Sequence, residues 1–409
     1  MNSISLATLC IVASFSLLHF LRGIKAVFPL LLLISTIYYS LGGYWYWIFI
    51  EDGYFVGLDW RDSLAKASNL FALASFLVIT SYFFAIHALK VRSSSDQAQI
   101  NYIPHNGLFK SRSFITLHLL GLAASILVIF SSESRGPLFL IAYQFSDILV
   151  ATVLFSFALQ PRSPFTLLSL IYFIAYCIFV GFRYKLAILA WPILLLIFLT
   201  TKGPRRWIYS IVLPFFLLVG FSVITFTRVK FSGLDFASVE QIDTNKLLYG
   251  LFAETNLLFG VISIIEYVLP TYPLTYFAPL LDTFLELIPR ALLPQRETGT
   301  QIYYVLEGLQ SQEGFNSGTT YPFFGEYLMA FGYPGFLFGC ILFGSIAAKL
   351  TAICSHLPTY RLVWVGCGLV SSLLGYYYVS RGYFPQFSKS IIFILIPYLF
   401  LCKKVGAKS

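Results

Sequence analysis

Apolar stretches of about twenty residues recur along the whole chain, and this repetition constrains the fold more than any other feature. A helix rises 1.5 Å per residue, so each stretch is long enough to cross a hydrocarbon core of roughly 30 Å. Only 11% of the residues are charged, whereas an ordinary soluble domain has roughly 25%. The sequence therefore predicts an all-α polytopic integral membrane protein, with no soluble domain.

We predict about eleven transmembrane helices, interrupted once by a large extracytoplasmic loop. They cover residues 4–21, 26–50, 68–89, 114–130, 137–159, 165–180, 186–200, 207–226, 323–347, 362–379 and 391–402. The chain then divides into residues 1–228 with eight spans, a loop at 229–322 with interfacial or re-entrant helices, and residues 323–409 with three spans and a tail. The first stretch lacks a basic n-region and an evident cleavage site, so we expect a retained span.

The orientation follows from the basic residues, which gather on the cytoplasmic side of membrane proteins. They occupy alternate connections: Arg22 and Lys25; Lys90, Arg92, Lys110 and Arg112; Arg162; Lys202, Arg205 and Arg206; Lys349 and Arg361; Lys403, Lys404 and Lys408. Acidic residues crowd the opposite side between the second and third spans. We therefore expect the N-terminus outside and the C-terminus inside. The net charge of +9 then reflects topology, and nucleic acid is not an expected partner.

The long interruption at 230–322 is expected to be functional, because long loops that neither bind nor catalyse are uncommon. Within it, residues 247–269 are apolar but carry Glu254, Asn256 and Glu266. One extra span there would put the lysine-rich tail outside, against the charge rule. We expect an interfacial or re-entrant helix, and two extra spans remain the alternative.

Several arginines fall on the outer side, where the charge rule predicts few. They are Arg135, Arg183, Arg228, Arg290, Arg296 and Arg381. The planar guanidinium gives bidentate, permanently charged hydrogen bonds to phosphate, so the set points to a diphosphate ligand. Alternatively, each arginine snorkels to lipid headgroups or pairs with a local carboxylate such as Glu133 or Glu297.

Two carboxylates lie inside predicted spans, where ionisable residues are rare and usually functional. Glu326 is about one turn into the ninth span and is expected to act as a general base or to pair with an arginine. Asp147, in the fifth span, is expected to pair with a hydroxyl. Glu254 and Asp282 are further outer-face carboxylates that serve either as a base or as part of a solvated surface.

The segment Gly314 to Pro322, which includes Asn316, is rich in turn-forming residues with hydrogen-bond donors. It is either a sugar- or phosphate-binding segment or a plain loop. The six cysteines lie in or beside apolar stretches with no CxxC pair, so they are predicted to be small core residues. We expect no metal site, no disulfide framework and no cofactor.

Five short elements, in order, resemble the Wzy-type O-antigen and oligosaccharide repeat-unit polymerases, which include the enterobacterial common antigen polymerase. They cover roughly the last 230 residues and are Gly181-Phe182-Arg183; Ile288 and Pro289 with Pro294 and Arg296; Asn316-Ser317-Gly318; Gly325-Glu326 with Phe331-Gly332; and Arg381. The amino-terminal half is similar only in being a set of spans. No outer-face histidine stands in the Asn316 to Gly318 element, so the sequence leaves the base open.

The resemblance implies a type-C-like membrane glycosyltransferase of the bacterial inner membrane. It would polymerise undecaprenyl-diphosphate-linked repeat units into O-antigen, capsular or exopolysaccharide at the periplasmic face, with a chain-length regulator and a flippase as possible partners. We assign catalytic roles to Arg183 and Arg381, and to Glu326 by its position in the ninth span. We assign substrate binding to Arg296 and Asn316, which lie in the resembling elements, and to Arg135, Arg228, Arg290 and Glu254, which lie on the predicted outer side. An O-antigen ligase and a flippase or exporter of lipid-linked oligosaccharide remain the alternatives.

Overall fold

The computed structural model describes most of the chain, and almost all of the described residues are helical. The described residues are 4–51, 54–55, 58–89, 91, 111–131, 137–181, 183–203, 206, 208, 212, 220, 228–229, 233–234, 244–288, 293, 299–309, 321–379 and 384–406.

The helices, in chain order, are α1 (Ser5–His19), α2 (Gly23–Phe49), α3 (Arg61–Ala88), α4 (Arg112–Phe130), α5 (Pro137–Phe145), α6 (Ile148–Leu159), α7 (Pro164–Val180), α8 (Arg183–Thr200), α9 (Thr244–Phe252), α10 (Leu257–Thr271), α11 (Ala278–Leu287), α12 (Thr300–Gly308), α13 (Phe323–Ser355), α14 (Tyr360–Val379) and α15 (Phe384–Val405). Two antiparallel hairpins of two-residue strands accompany them: β1 (Tyr54–Phe55) with β2 (Leu58–Asp59), and β3 (Arg228–Val229) with β4 (Gly233–Leu234).

Seven helical segments in the described part of the chain are long and apolar enough to cross a membrane, and four shorter apolar helices accompany them. This confirms an all-α membrane protein. Ten of the predicted spans coincide with one of these helices. The remaining one, residues 207–226, lies almost entirely outside the described residues, so the count of eleven stays a prediction.

The helices form two compact units. The first consists of Met1–Val91, Phe252–Ala352 and Leu374–Ser388, and the second of Arg92–Leu251, Ile353–Leu373 and Lys389–Ser409.

Small residues let helices pack closely in the first unit. Ala7 and Cys10 of α1 lie against Ala72 of α3. A Cβ on Gly344 of α13 would come within 2.4 Å of the Val78 carbonyl oxygen of α3, so only glycine allows that approach. Close backbone contact through small residues is typical of helix packing in membranes.

Helix α6 lies at the centre of the second unit. All of its residues from Ile148 to Ala158 are buried, and it packs against α4, α7, α8 and α15. A helix that is apolar on every side is expected in such a position. On α4, Gly121 permits the approach, because its added Cβ would lie 2.9 Å from the Leu149 amide nitrogen.

The predicted loop at 229–322 contains four described helices, α9 to α12. The residues from Leu257 to Ile264 in α10 are all buried. This helix is therefore packed inside the first unit, and the choice among an interfacial helix, a re-entrant helix and extra spans stays a prediction. Its depth in the membrane stays a prediction.

Candidate functional site

Glu326 lies in the first turn of α13 and its side chain is held in the first unit by two donors. The Tyr377 hydroxyl of α14 donates to Oε2 at 2.7 Å, and the Phe384 amide at the start of α15 donates to Oε1 at 3.0 Å. Only 3% of Glu326 is exposed. A buried carboxylate is costly unless it accepts hydrogen bonds, so these two contacts fix both its environment and its orientation.

A break in α13 separates the turns around Glu326 from the rest of this helix. Gly332 has a φ of +68° and a ψ of −157°, a conformation that is essentially restricted to glycine. Pro334 follows two residues later and has no amide hydrogen to donate. The sequence predicts a span here, and the structure shows that this span is a discontinuous helix.

At the break, two backbone carbonyl groups of α13 accept hydrogen bonds from the segment before α11. The Thr275 amide donates to the Met329 oxygen at 2.9 Å, and the Tyr276 amide donates to the Ala330 oxygen at 3.0 Å. Buried backbone groups in a membrane protein must be satisfied internally. The predicted outer loop therefore stabilises the short helix that carries Glu326.

Gln301 of α12 links this segment to the same short helix. Its amide nitrogen donates to the Thr275 hydroxyl at 2.5 Å and to the Glu326 backbone oxygen at 3.5 Å. The Tyr321 hydroxyl donates to the Gln301 side-chain oxygen at 3.4 Å. Sequence reasoning missed both Gln301 and Tyr377, because nothing distinguishes them from other polar and aromatic residues in the chain.

The two roles expected of Glu326 were a general base and an arginine partner. Within the described part of the chain, no arginine or lysine pairs with it. Its donors instead come from α14 and α15, the helices that flank Arg381 in the sequence. Asp282, another predicted carboxylate, accepts a hydrogen bond from the Gly299 amide at 3.0 Å just before α12.

The other predicted site residues are described in part or not at all. Arg183 is the first residue of α8, Arg228 lies in β3 opposite Leu234, and Glu254 lies in a 3-10 turn before α10. The residues outside the described part of the chain are Arg135, Arg290, Arg296, Asn316 and Arg381. Convergence of the arginines on one site stays a prediction.

Asp147 forms a buried ion pair with Lys185 in the second unit, which corrects the expectation that it pairs with a hydroxyl. Its Oδ1 lies 2.6 Å from the Lys185 Nζ, and the two side chains are 5% and 0% exposed. Lys185 also donates to the Ser146 hydroxyl at 3.1 Å and lies 4.5 Å from the centre of the Tyr143 ring. Sequence reasoning missed Lys185 because a cation near a span end is normally solvated.

A second, more exposed cluster in the first unit combines tyrosines with an acidic residue. The rings of Tyr272 and Tyr304 stack with centroids 3.9 Å apart. Glu307 accepts hydrogen bonds from the hydroxyls of Tyr267 and Tyr272. The bond to this carboxylate raises the pKa of Tyr272 above its usual value. Flat aromatic faces beside a hydrogen-bonding carboxylate are chemically suited to contact a sugar.

The six cysteines are all buried and free, which confirms that they are core residues. Among the residues that the structure describes, no group of three His, Cys, Asp or Glu side chains is placed to hold a metal ion. The groups that make the polar contacts described above are carboxylates, hydroxyls, amides and one buried lysine.

The fold and these clusters define the chain as an all-α, multi-pass membrane protein with buried ionisable groups inside its helices. Comparison of the chain with protein-family models, with curated proteins and with solved structures finds no match.

Proposed function

We propose that this chain is a Wzy-type polymerase of undecaprenyl-diphosphate-linked oligosaccharide repeat units. The proposal starts from the five sequence elements that resemble this family. The structural observation that carries it is the contact of Glu326 with Tyr377 and Phe384, because these donors lie on either side of Arg381 in the sequence. These contacts join the Gly325-Glu326 element to residues that come shortly before and after Arg381 in the sequence.

In the proposed reaction, the acceptor is the terminal sugar hydroxyl of a fresh repeat unit. Its oxygen attacks the anomeric carbon of the growing chain. The bond from that carbon to the lipid diphosphate breaks, and the diphosphate leaves with the electron pair. The hydroxyl proton passes to a carboxylate base. Negative charge builds on the leaving diphosphate, so preorganised guanidinium groups stabilise this step most.

Arg183 and Arg381 are the arginines to which we assign that role. Each belongs to one of the five sequence elements that resemble the family, and the charge rule predicts that each lies on the outer side. By analogy with an oxyanion-hole donor, each contributes about 2.7 to 4 kcal/mol to transition-state stabilisation. Arg135, Arg228, Arg290 and Arg296 complete the proposed diphosphate-binding set.

Glu326 is assigned a positioning role, holding the hairpin that carries Arg381. Both carboxylate oxygens already accept a hydrogen bond and the side chain is 3% exposed, which supports a fixed anchor more than a proton acceptor. The stacked tyrosines beside Glu307 are proposed to contact the sugars of the acceptor. Glu254 and Asp282 are then the candidate bases.

A strain that lacks this protein tests the proposal. A polymerase mutant is expected to accumulate lipid that carries a single repeat unit on the periplasmic side. Long chains that remain on undecaprenyl diphosphate would instead identify a ligase. Repeat units trapped on the cytoplasmic side would identify a flippase or exporter.

A further inference from the structure

A cavity of about 660 Å³ lies among helix ends in the second unit. It is bordered by the connection between α6 and α7, the last turn of α8 and the first turn of α14. Arg162 and Arg361 both line it. Of the residues assigned to glycan transfer, those that the structure describes do not line it. A cation-lined cavity of this size requires an explanation of its own.

Both charged side chains that line this cavity in the described part of the chain are cationic. Among the described residues no carboxylate lines it, and the first turns of α7 and α14 contain no acidic residue. Ser163, the N-cap of α7, makes no side-chain capping hydrogen bond. Helix N-termini carry partial positive charge, so they add to the field of the two guanidinium groups. An anion is the ligand that such a field attracts.

The walls of the cavity combine hydrogen-bonding and apolar groups. Gln160, Thr200 and Thr201 supply amide and hydroxyl groups, whereas Phe157 and Leu196 supply apolar surface. A free inorganic anion makes no use of an apolar wall. A molecule with a phosphate at one end and hydrocarbon at the other fits both kinds of surface.

We propose that this cavity binds the headgroup of an anionic phospholipid, with its phosphate held by Arg162 and Arg361. Arginine forms bidentate hydrogen bonds to phosphate oxygens, and basic pockets between membrane helices are known sites for anionic headgroups. The cavity lies at the end of α8 opposite to Arg183, about 27 Å away along an 18-residue helix. In the predicted topology this is the cytoplasmic end. The site is independent of the proposed polymerase activity.

Native mass spectrometry of the purified full-length chain in detergent measures this binding directly. Phosphatidylglycerol is titrated against the wild type, Arg162→Gln and Arg361→Gln. We expect each substitution to weaken phosphatidylglycerol binding about tenfold, as the loss of one charged hydrogen-bond pair predicts. Lys403→Gln is the matched control, because Lys403 is exposed, basic and does not line the cavity. Its affinity should equal that of the wild type.

Two further arms identify the ligand. Phosphatidylcholine, which carries no net charge, should bind weakly to all variants, and millimolar inorganic phosphate should not displace phosphatidylglycerol. Equal binding of both lipids overturns the proposal, as does wild-type affinity in both glutamine variants. Displacement by phosphate overturns the lipid assignment and identifies a site for the free anion.

A double Arg162→Lys, Arg361→Lys variant separates binding from folding. It keeps both charges but loses the bidentate geometry, so we expect intermediate affinity and a wild-type elution volume in gel filtration. If a glutamine variant does not fold, the double lysine variant tests the proposal in its place. An affinity for phosphatidylglycerol equal to that of the wild type would then contradict the role of the arginines.

Discussion

Tyr377 donates its hydroxyl to Oε2 of Glu326 across 2.7 Å, in an environment where both side chains are almost fully buried. A buried polar group that loses its hydrogen-bond partner costs about 1 to 3 kcal/mol. The Tyr377 ring also stacks on Phe387 of α15, with centroids 4.5 Å apart. This single residue therefore joins α13, α14 and the beginning of α15 within the first unit.

Removal of the Tyr377 hydroxyl should destabilise the protein. In Tyr377→Phe, one oxygen of the buried Glu326 carboxylate loses its donor, which is expected to cost about 1.5 to 3 kcal/mol. Thermal unfolding of the purified protein measures the loss. Tyr378→Phe is the matched control, because Tyr378 is buried in the same helix and its hydroxyl bonds to the neutral Ser75 at 2.6 Å. A smaller loss in Tyr377→Phe than in this control would contradict the account.

Two substitutions of Glu326 separate its positioning role from that of a base. Removal of a catalytic base lowers the reaction rate by a factor of about 10² to 10⁴. If Glu326 only holds the Arg381 hairpin, Glu326→Gln should lower the rate of chain extension by a smaller factor. Glu326→Ala, which removes both acceptors, should abolish chain extension. The pH profile of Glu326→Gln should keep the shape of the wild-type profile. Loss of its acidic limb together with a hundredfold fall in rate would show that Glu326 is the base.

Gly332→Ala tests the break in α13. An alanine at a φ of +68° and a ψ of −157° is strained, and about 1 to 3 kcal/mol of stability should be lost. We expect a lower Tm and reduced activity. Gly220→Ala is a suitable control, because no atom of the described residues lies within 4 Å of the added Cβ and the φ of Gly220 is not positive. Equal Tm values for the two variants would rule out a conformational requirement at Gly332.

The Asp147 and Lys185 pair should show strong coupling. Lys185→Met leaves a buried carboxylate without its partner, which is expected to cost about 3 to 5 kcal/mol. Because an apolar pair of similar volume is often neutral, Asp147→Leu combined with Lys185→Met should recover most of that loss. Thermal unfolding of the four forms gives the coupling energy. Additive losses from the two substitutions would mean that the ion pair does not hold this region together.

The helices themselves were largely predictable from the sequence, because apolar stretches of sufficient length leave a chain few alternatives in lipid. The ends of the helices were less predictable. Helix α3 begins at Arg61, whereas hydropathy places the span from residue 68. Polar residues such as Lys66 lie outside the apolar stretch but inside the helix, since the backbone hydrogen bonds of the helix include them. Similarly, α15 begins seven residues before the predicted span at 391, at the Phe384 amide that contacts Glu326.

The contacts of the candidate site were much less predictable. Glu326 was identifiable because a carboxylate in an apolar stretch is rare. Its partner Tyr377 is one of 27 tyrosines and carries no local signal. The break at Gly332 had a signal in the nearby Pro334, but glycine and proline also occur within continuous membrane helices. Lys185 was hidden because only the three-dimensional packing of α5 to α8 buries it against Asp147.

Reconstitution of the purified protein in liposomes with undecaprenyl-diphosphate-linked repeat units tests the central claim most directly. Product length is followed by gel electrophoresis, with EDTA present because the sequence predicts no metal. The wild type should extend the glycan without moving lipid across the bilayer, while Arg183→Ala and Arg381→Ala should insert normally and leave single repeat units. Full-length polymer from both variants, or translocation without extension by the wild type, would contradict the account.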